Sequence, residues 1–287
     1  MTDIIQAVIN GVLTGALIAI PAMGLTAIFA VLRYVNFAIG PLATCGAFAA
    51  WVLNFRYGWP VLPAMAGSFV TVAAIGLAVE QAALARLRPS GALTVAIASI
   101  AVGIILENVL RFSFGNDLRA FDLPLMRDWR FWGLRVGPQQ LQTAGIAVAM
   151  MAGVFAFLRF TRYGKAMRAV ADNPDLARLF RMEPGRIAMA TVALGTGLTG
   201  VGGALLGLDS AIDPMSGSRL LLPVFAAAVL GGLGSIPGAV AGAILIGIGE
   251  ELSLLVIPAT YRSAIGFLTI LLVLSFRPGG LFGERAA

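Results

Sequence analysis

The sequence is poor in charge. Charged residues make up 12% of its 287 positions, about half of the roughly 25% found in ordinary soluble domains. Hydrophobic residues make up 59%, and the mean hydropathy is +0.92. A chain with so little charge is not an ordinary soluble domain, and its long apolar runs predict a protein that crosses a membrane several times.

The sequence also lacks histidine and contains one cysteine. The absence of histidine removes the commonest metal ligand and the usual proton carrier near neutral pH. Cys45 can form no disulfide within the chain, and its apolar surroundings predict a small packing residue. Because an enzyme needs a nucleophile with its base, or a metal centre, we predict a protein that is not an enzyme and that holds neither a metal nor a cofactor.

Basic residues outnumber acidic ones by 20 to 14, and the pI is about 10.4. Such a charge can indicate nucleic acid binding. Here, however, the basic residues cluster at the ends of apolar runs, as the positive-inside rule requires of a membrane protein. We therefore predict contact with membrane lipid and no nucleic acid partner.

Nine apolar stretches approach or exceed the roughly 20 residues that a helix needs to span the hydrocarbon core. Eight are long enough for a full span and one is short. We predict an all-α, polytopic membrane protein with eight to nine transmembrane helices, some of them broken, in a single transmembrane domain over residues 1–287. The predicted spans are 4–32, 38–54, 61–84, 91–111, 140–158, 187–208, 220–232, 236–257 and 261–276.

Residues 159–186, RFTRYGKAMRAVADNPDLARLFRMEPGR, form the one long polar segment between two of these spans. They contain seven basic and three acidic residues, a net charge of +4. A loop so rich in arginine is expected in the cytoplasm. With this loop inside, the 112–139 loop lies outside and the C-terminal segment lies inside.

The polar segment contains its own helix signals. Asp172 and Asn173 precede Pro174, an arrangement that caps a helix and starts it with proline, and the helix is predicted to run to about Met182. Its residues Leu176, Leu179 and Phe180 share one face, with Arg178 and Arg181 off that face. Such a helix can lie in the lipid interface or insert into a groove of a soluble partner. Two short capped helices in place of one long basic helix favour the partner.

Two apolar passages are interrupted. Arg33 to Pro41, RYVNFAIGP, carries Asn36, Gly40 and Pro41, and Gly231 to Gly238, GGLGSIPG, breaks a second passage. Broken helices are tolerated in a bilayer where they are packed in protein or line a wet cavity, and matching breaks in two halves of a transporter indicate a substrate path. The alternative for each is a simple turn between spans. We favour the path for Asn36 and the turn for the glycine-rich break.

Carboxylates inside spans are costly and are functional candidates for that reason. Glu107 precedes Arg111 by four residues, which predicts a structural ion pair on a helix. Glu250 and Glu251 stand some fourteen residues into a span. Of the two, we expect Glu250 to line the translocation pathway.

Several motifs agree, in order, with one known family: INGVLTGALIAIPAMGLTAIFAVLRYVNFAIG near the N-terminus, YGKAMRAVADNPDLARLFRMEPGRI, VLGGLGSIPGAVAGAILIGIGEEL and FRPGGLFGE. The chain resembles the permease subunit of branched-chain amino acid ABC importers, LivH type, over nearly its whole length. The resemblance implies the ABC importer permease fold and a multi-pass location in the inner (plasma) membrane of a bacterium. It also implies that residues matching Gly164 to Met182 couple to a cytoplasmic ATPase. The candidate coupling residues are Gly164, Arg168, Ala169, Asp172, Asn173, Ala177 and Arg178.

The same resemblance implies partners. Such permeases work with two cytoplasmic ATP-binding subunits, an external solute-binding protein and usually a second, different permease chain. ATP hydrolysis then occurs on the partner subunits, and this chain forms half of the translocation pathway for branched-chain or related amino acids.

The sequence departs from the family near the first break. The family commonly has a histidine and then an acidic residue after Asn-Phe-Ala, where this chain has Ile39 and Pro41. Asn36, Phe37 and Gly40 are retained and are the candidate pathway residues together with Glu250. Related permeases carry urea, short amides or other small polar solutes, so these remain alternative substrates.

A self-sufficient secondary transporter or channel is a further alternative. It would need coupling-ion carboxylates or a filter in mid-membrane, and the sequence offers only the pair at 250 and 251 for that purpose.

Overall fold

The protein is described by a computed structural model covering residues 2–121, 129–131, 134–258, 261–276 and 279–282. It is a bundle of helices with one small β-hairpin. The helices are α1 Thr2–Leu32, α2 Ile39–Tyr57, α3 Val61–Val79, α4 Ala85–Leu87, α5 Ala92–Phe114, α6 Pro138–Phe160, α7 Arg162–Asp172, α8 Pro174–Leu179, α9 Pro184–Asp209, α10 Ser216–Gly231, α11 Ile236–Ser253 and α12 Arg262–Phe276. A π-helical turn, Glu80–Leu84, joins α3 to α4, and a 3₁₀ turn, Arg88–Ser90, follows α4.

The hairpin is an exception to the predicted all-α fold. Its strands, β1 Trp129–Phe131 and β2 Leu134–Val136, pair antiparallel. The side chain of Gln6, near the start of α1, exchanges two hydrogen bonds of 2.8 Å with the backbone of Arg135. The start of α1 and the hairpin therefore lie at one end of the bundle, here called the hairpin end; the opposite end carries residues 159–186 and is called the loop end.

Six helices in the described part of the chain are long and apolar enough to cross a membrane. They are α1, α3 with its continuation to Ser90, α5, α6, α9 and α11. The predicted count of eight to nine spans is therefore not confirmed. Part of the difference is length, because α10 has 16 residues and at 1.5 Å per residue reaches about 24 Å, less than the ~30 Å hydrocarbon core.

The core is built by helices that approach closely at small residues. α9 lies at its centre and packs against α1, α2 and α3, while α11 packs along α1. A Cβ atom added at Gly11 would lie 2.5 Å from the Cα of Ile248 on α11, so the glycine permits this approach. Gly24 on α1 and Gly195 on α9 meet in the same way. The chain contains 35 glycines, and those at these contacts allow the helices to pack closely.

The outer helices bury one side only. α5 buries Val95, Ser99, Gly103 and Leu110, which form a single stripe. Its other face exposes large apolar side chains, among them Leu93, Ile97, Ile104, Val109 and Phe112. A surface of this kind faces lipid or another membrane subunit and not water.

Candidate coupling loop and translocation break

The loop at residues 159–186 folds into two short helices braced against the end of α6. Thr161 begins α7: its Oγ1 accepts a hydrogen bond from the Gly164 N–H at 3.0 Å and donates to the Phe157 carbonyl at 2.6 Å. Gly164 is buried, and a Cβ there would lie 2.5 Å from the Cα of Leu158. Only glycine allows α7 to pack this closely on α6.

The predicted cap of the second helix is confirmed. The Oδ1 of Asn173 accepts hydrogen bonds of 3.0 Å from the backbone N–H groups of Asp175 and Leu176, and Pro174 occupies the first turn of α8. The helix ends at Leu179, three residues before the predicted end. The reason is a tight turn in which Arg181 adopts the left-handed conformation with φ of 58°.

The candidate coupling residues divide into a buried and an exposed set. Ala177 is 3% exposed and packs with Met167, Val170 and Ile187 in a small cluster beneath the loop. Gly164 is also buried and Ala169 is half-buried. The exposed members are Arg168, Asp172, Asn173 and Arg178. The buried residues hold the loop in shape, and the exposed ones are available to a partner.

The face predicted for α8 is open. The exposed fractions of Leu176, Leu179 and Phe180 are 51%, 79% and 70%. Arg178 pairs with Asp175 at 3.1 Å beside them. A rigid, capped helix therefore presents three apolar side chains and several charges at the tip of the loop end.

The first break begins directly after α1. Arg33 adopts the left-handed conformation, with φ of 57°, and its guanidinium donates a hydrogen bond of 2.6 Å to the Ala171 carbonyl near the end of α7. Asn36 is 3% exposed, and its Oδ1 accepts from the Ala38 N–H at 3.0 Å. Asn36 therefore organises the turn that starts α2.

The break then brings α2 and α10 together. The Phe37 N–H donates to Ser99 Oγ on α5 at 2.9 Å, and its ring lies 5.8 Å from that of Phe225 on α10. A Cβ added at Gly40 would lie 2.7 Å from the Gly217 carbonyl oxygen, and the Gly217 N–H donates to Thr44 Oγ1 at 2.9 Å. The first turns of α2 and α10 thus meet inside the protein.

The second break is a turn, as favoured from the sequence. α10 ends at Gly231, and Ser235 caps α11 by accepting from the Gly238 N–H at 3.2 Å. The C-terminal segment adds a contact that the sequence did not predict. The N–H groups of Leu281 and Phe282 donate to the carbonyls of Leu230 and Gly231 at 2.8 and 3.2 Å, so this segment satisfies backbone groups at the end of α10.

The structure separates Glu250 from the first break. Glu250 is 3% exposed, and its helix packs on α1 near Gly11. The break follows the other end of α1, about 30 Å away at 1.5 Å per residue. Glu251, the next residue, lines a polar cavity of about 140 Å³ at the hairpin end with Asn10, Thr14, Gln140, Thr143 and Asp209.

Sequence inspection missed one buried carboxylate. Glu80, in the π-helical turn, is 1% exposed. The Tyr34 hydroxyl donates to its Oε2 at 2.6 Å, and Arg88 forms an ion pair with its Oε1. The available signal was an acidic residue at the end of an apolar run, followed eight positions later by arginine.

No group of three or more acidic or cysteine side chains suited to a metal ion occurs in the parts of the chain that the structure describes.

Comparison with known proteins agrees with this architecture. Residues 7–274 match the family model described as branched-chain amino acid transport system / permease component. The high-affinity branched-chain amino acid transport system permease protein BraD of Pseudomonas aeruginosa is 30% identical, over 98% of this chain and 96% of its own. LivH of Escherichia coli K12, with the same description, is 29% identical over the same shares. The fructose import permease protein FrcC of Rhizobium meliloti is 25% identical over 75% of this chain and 61% of its own.

Among solved structures, PsaBC from Streptococcus pneumoniae, determined in complex with a Fab, shares the fold. The TM-score is 0.50 at 16% sequence identity, over 94% of this chain and 91% of that chain. The match to the family model covers most of the chain, and BraD and LivH align with it almost from end to end. The chain belongs to the branched-chain amino acid transport system permease family, whose members are inner-membrane transport components and not enzymes.

Proposed function

We propose that this chain is the permease subunit of an ATP-driven ABC importer and forms half of a translocation pathway for branched-chain or related amino acids. The family membership supports the class of protein, and the names of BraD and LivH support the solute. The observation that carries the mechanism is the exposed apolar face of α8, held on a capped and internally packed loop. Such a face fits a groove on a soluble partner.

The proposed partner at the loop end is a cytoplasmic ATPase. Two such subunits, a second permease chain and an external solute-binding protein complete the transporter. The chain has one lysine, Lys165, and it is exposed on α7. An amine-reactive crosslinker can therefore report contact between this loop and an ATPase without interference from other lysines of the chain.

We further propose that α2, α10 and α12 complete the set of membrane helices, giving nine in all, two of them short. α2 has 19 residues, about 28 Å of helix, which is close to the thickness of the hydrocarbon core. α10 and α12, with 16 and 15 residues, are the short ones, and the first turn of α10 meets the first turn of α2. The break at residues 33–41 then borders the pathway, with Asn36 and Gly40 shaping it and the half-buried Phe37 beside it.

Other solutes remain a second candidate. FrcC is named a fructose import permease, which shows that proteins related to this chain are assigned to different solutes. Ile39 is 1% exposed, and the ring of Pro41 lies close to Gly103 on α5. These two positions, where the chain departs from its family, therefore set the packing of α2 beside the break. Urea, short amides and other small polar solutes are the alternatives to test.

The test of this function is reconstitution in liposomes with an ATPase, a second permease chain and a solute-binding protein from the same organism. We expect uptake of radiolabelled leucine that requires ATP, and crosslinking of Lys165 to the ATPase. Uptake that continues without the ATPase would instead indicate a secondary transporter. If the liposomes take up a short amide but not leucine, the protein is still an ABC importer permease, but its solute differs from the proposed one.

Variants at the tip of the loop test directly whether the ATPase docks through α8. Leu179→Asp places a charge on the apolar face, and we expect it to weaken binding of the ATPase by about 10- to 150-fold, since a buried apolar contact of this size is worth about 1.5 to 3 kcal/mol. Leu118→Asp is the matched control, because Leu118 is 69% exposed but lies in the 112–139 loop. Equal ATPase recovery with both variants would contradict docking through α8.

A further inference from the structure

A fully buried carboxylate stands beside the first break. Glu80 is 1% exposed and lies within a helix counted among the candidate spans. Desolvating a carboxylate costs several kcal/mol, so its partners must compensate. It has two: the Tyr34 hydroxyl at 2.6 Å and the Arg88 guanidinium. The π-helical turn that contains Glu80 is a rare departure from α-helix and is often found at functional sites.

The partner of Glu80 on the other side of this contact is Tyr34, in the first break. Tyr34 is 3% exposed and follows Arg33 immediately. Arg33 donates to the Ala171 carbonyl on α7 at 2.6 Å, whereas Tyr34 donates to Glu80 beyond α3. Two consecutive residues of the break therefore contact two different elements. One of these is the loop proposed to bind the ATPase.

The same short segment leads directly to the start of α2. Asn36 organises the first turn of that helix, and the Phe37 N–H binds Ser99 on α5. Between Leu32 and Ile39 no helix separates these contacts from Arg33. A displacement of α7 would move Arg33 through its hydrogen bond to the Ala171 carbonyl. The next residue, Tyr34, is held by Glu80, so the displacement acts on a segment that is anchored at that point.

From this arrangement we propose that Tyr34 is a positioning residue for transport. Its hydrogen bond to Glu80 anchors residues 33–38, so that ATP-driven movement of α7 is transmitted through Arg33 to the start of α2. Arg88, paired with the other carboxylate oxygen, holds Glu80 in place. The proposal rests on the proposed function, because it requires an ATPase that moves the loop.

A purely structural role would predict a different result. Removing one partner of a buried carboxylate lowers stability, so a fall in thermal stability is expected for either role. If Tyr34 only stabilised the fold, its loss would lower ATP hydrolysis and transport together and leave their ratio unchanged. A positioning role instead predicts ATP hydrolysis that continues while transport falls.

The experiment uses the complete transporter in liposomes and measures the number of leucine molecules transported for each ATP hydrolysed. Tyr34→Phe keeps the ring and removes the hydroxyl, and we expect this ratio to fall about tenfold, the size expected for a lost hydrogen bond to a charged group. The complex should still be recovered at the wild-type level, although its melting temperature falls because Glu80 loses one of its two partners. Tyr57→Phe is the control, because Tyr57 is 68% exposed at the far end of α2.

Arg33→Ala provides the second measurement, since Arg33 is exposed and its loss leaves no buried charge. We expect a similar fall in the ratio, and no further fall when Arg33→Ala and Tyr34→Phe are combined, because both act on one connection. If Tyr34→Phe prevents assembly, the ratio for Arg33→Ala decides. A wild-type ratio in the single variants, or losses that add in the combined variant, would overturn the proposal. Absence of ATP-dependent uptake by the wild-type complex would overturn the proposed function instead.

Discussion

The contact between Gly40 and Gly217 permits a direct test of how α2 and α10 meet. A Cβ at Gly40 would lie 2.7 Å from the Gly217 carbonyl oxygen, whereas ordinary contact begins at 3.4 Å. In Gly40→Ala, α2 and α10 must therefore separate by about 0.7 Å, and overpacking of this kind costs about 1 to 3 kcal/mol. Alanine also favours helix, by up to about 1 kcal/mol, which partly hides the cost in a single measurement.

A matched variant removes that difficulty. Gly145 lies within α6 with no atom within 4 Å of an added Cβ, so Gly145→Ala gains helix propensity without overlap. We expect Gly40→Ala to be less stable than Gly145→Ala by about 1 to 3 kcal/mol. The assay is unfolding of the purified protein by dodecyl sulfate in mixed micelles. Equal stabilities, with uptake lost only in Gly40→Ala, would refute the packing contact and make Gly40 a residue that lines the pathway.

Three further predictions concern local features. Asn173→Ala removes the cap of α8 at a cost of about 1 kcal/mol, so exchange of the α8 amide hydrogens should quicken about fivefold; unchanged exchange would contradict the cap. Partial burial raises the pKa of Asp213, but hydrogen bonds from Arg219 and the Ser216 hydroxyl more than offset this and hold it below its usual value. Because the folded pKa is the lower one, the stabilisation is present above the unfolded value of about 4 and is lost as the pH falls through the folded one. The melting temperature of Asp213→Asn should accordingly be lower than wild type at neutral pH, and the difference should shrink as the pH falls below the unfolded value. A chain ending at residue 276 loses two hydrogen bonds to the end of α10 and should be less stable by about 1 to 3 kcal/mol in dodecyl sulfate unfolding.

The features predicted correctly from sequence depend on neighbouring residues. The cap at Asn173 needs only the side chain and the two following N–H groups, and the turn at residues 231–238 needs its glycines and Ser235. The ion pair of Glu107 with Arg111, at 2.6 Å, follows from their four-residue spacing on a helix. These contacts close over short distances along the chain, so the order of residues is sufficient to predict them.

The count of spans was less certain for a physical reason. Hydropathy shows that a stretch is apolar, but a short apolar helix such as α10 can begin inside the protein. Whether it crosses the membrane depends on where its first turn is held. That position is set here by Gly40 and Thr44 on α2, more than 170 residues earlier in the chain.

The roles of individual site residues also depended on packing. Ala177 matches a coupling motif, yet its side chain lies on the buried side of α8, while Leu179 and Phe180 are exposed. Glu250 and Asn36 both met the expectations for a pathway residue, and the structure places them at opposite ends of α1. Apolar residues surround most of these helices on every side, so the sequence contains little information about which side faces a neighbour.

Composition and local motifs therefore account for the membrane location, the family and the shape of residues 159–186. Low charge and long apolar runs predict helices that lie in lipid. A helix cap forms between residues that are close in sequence and requires no distant contact. The pairing of Tyr34 with Glu80, and the meeting of α2 with α10, arise only when the helices pack. They join residues far apart in sequence through burial and close backbone approach, and neither quantity can be read from the order of residues in an almost uniformly apolar chain.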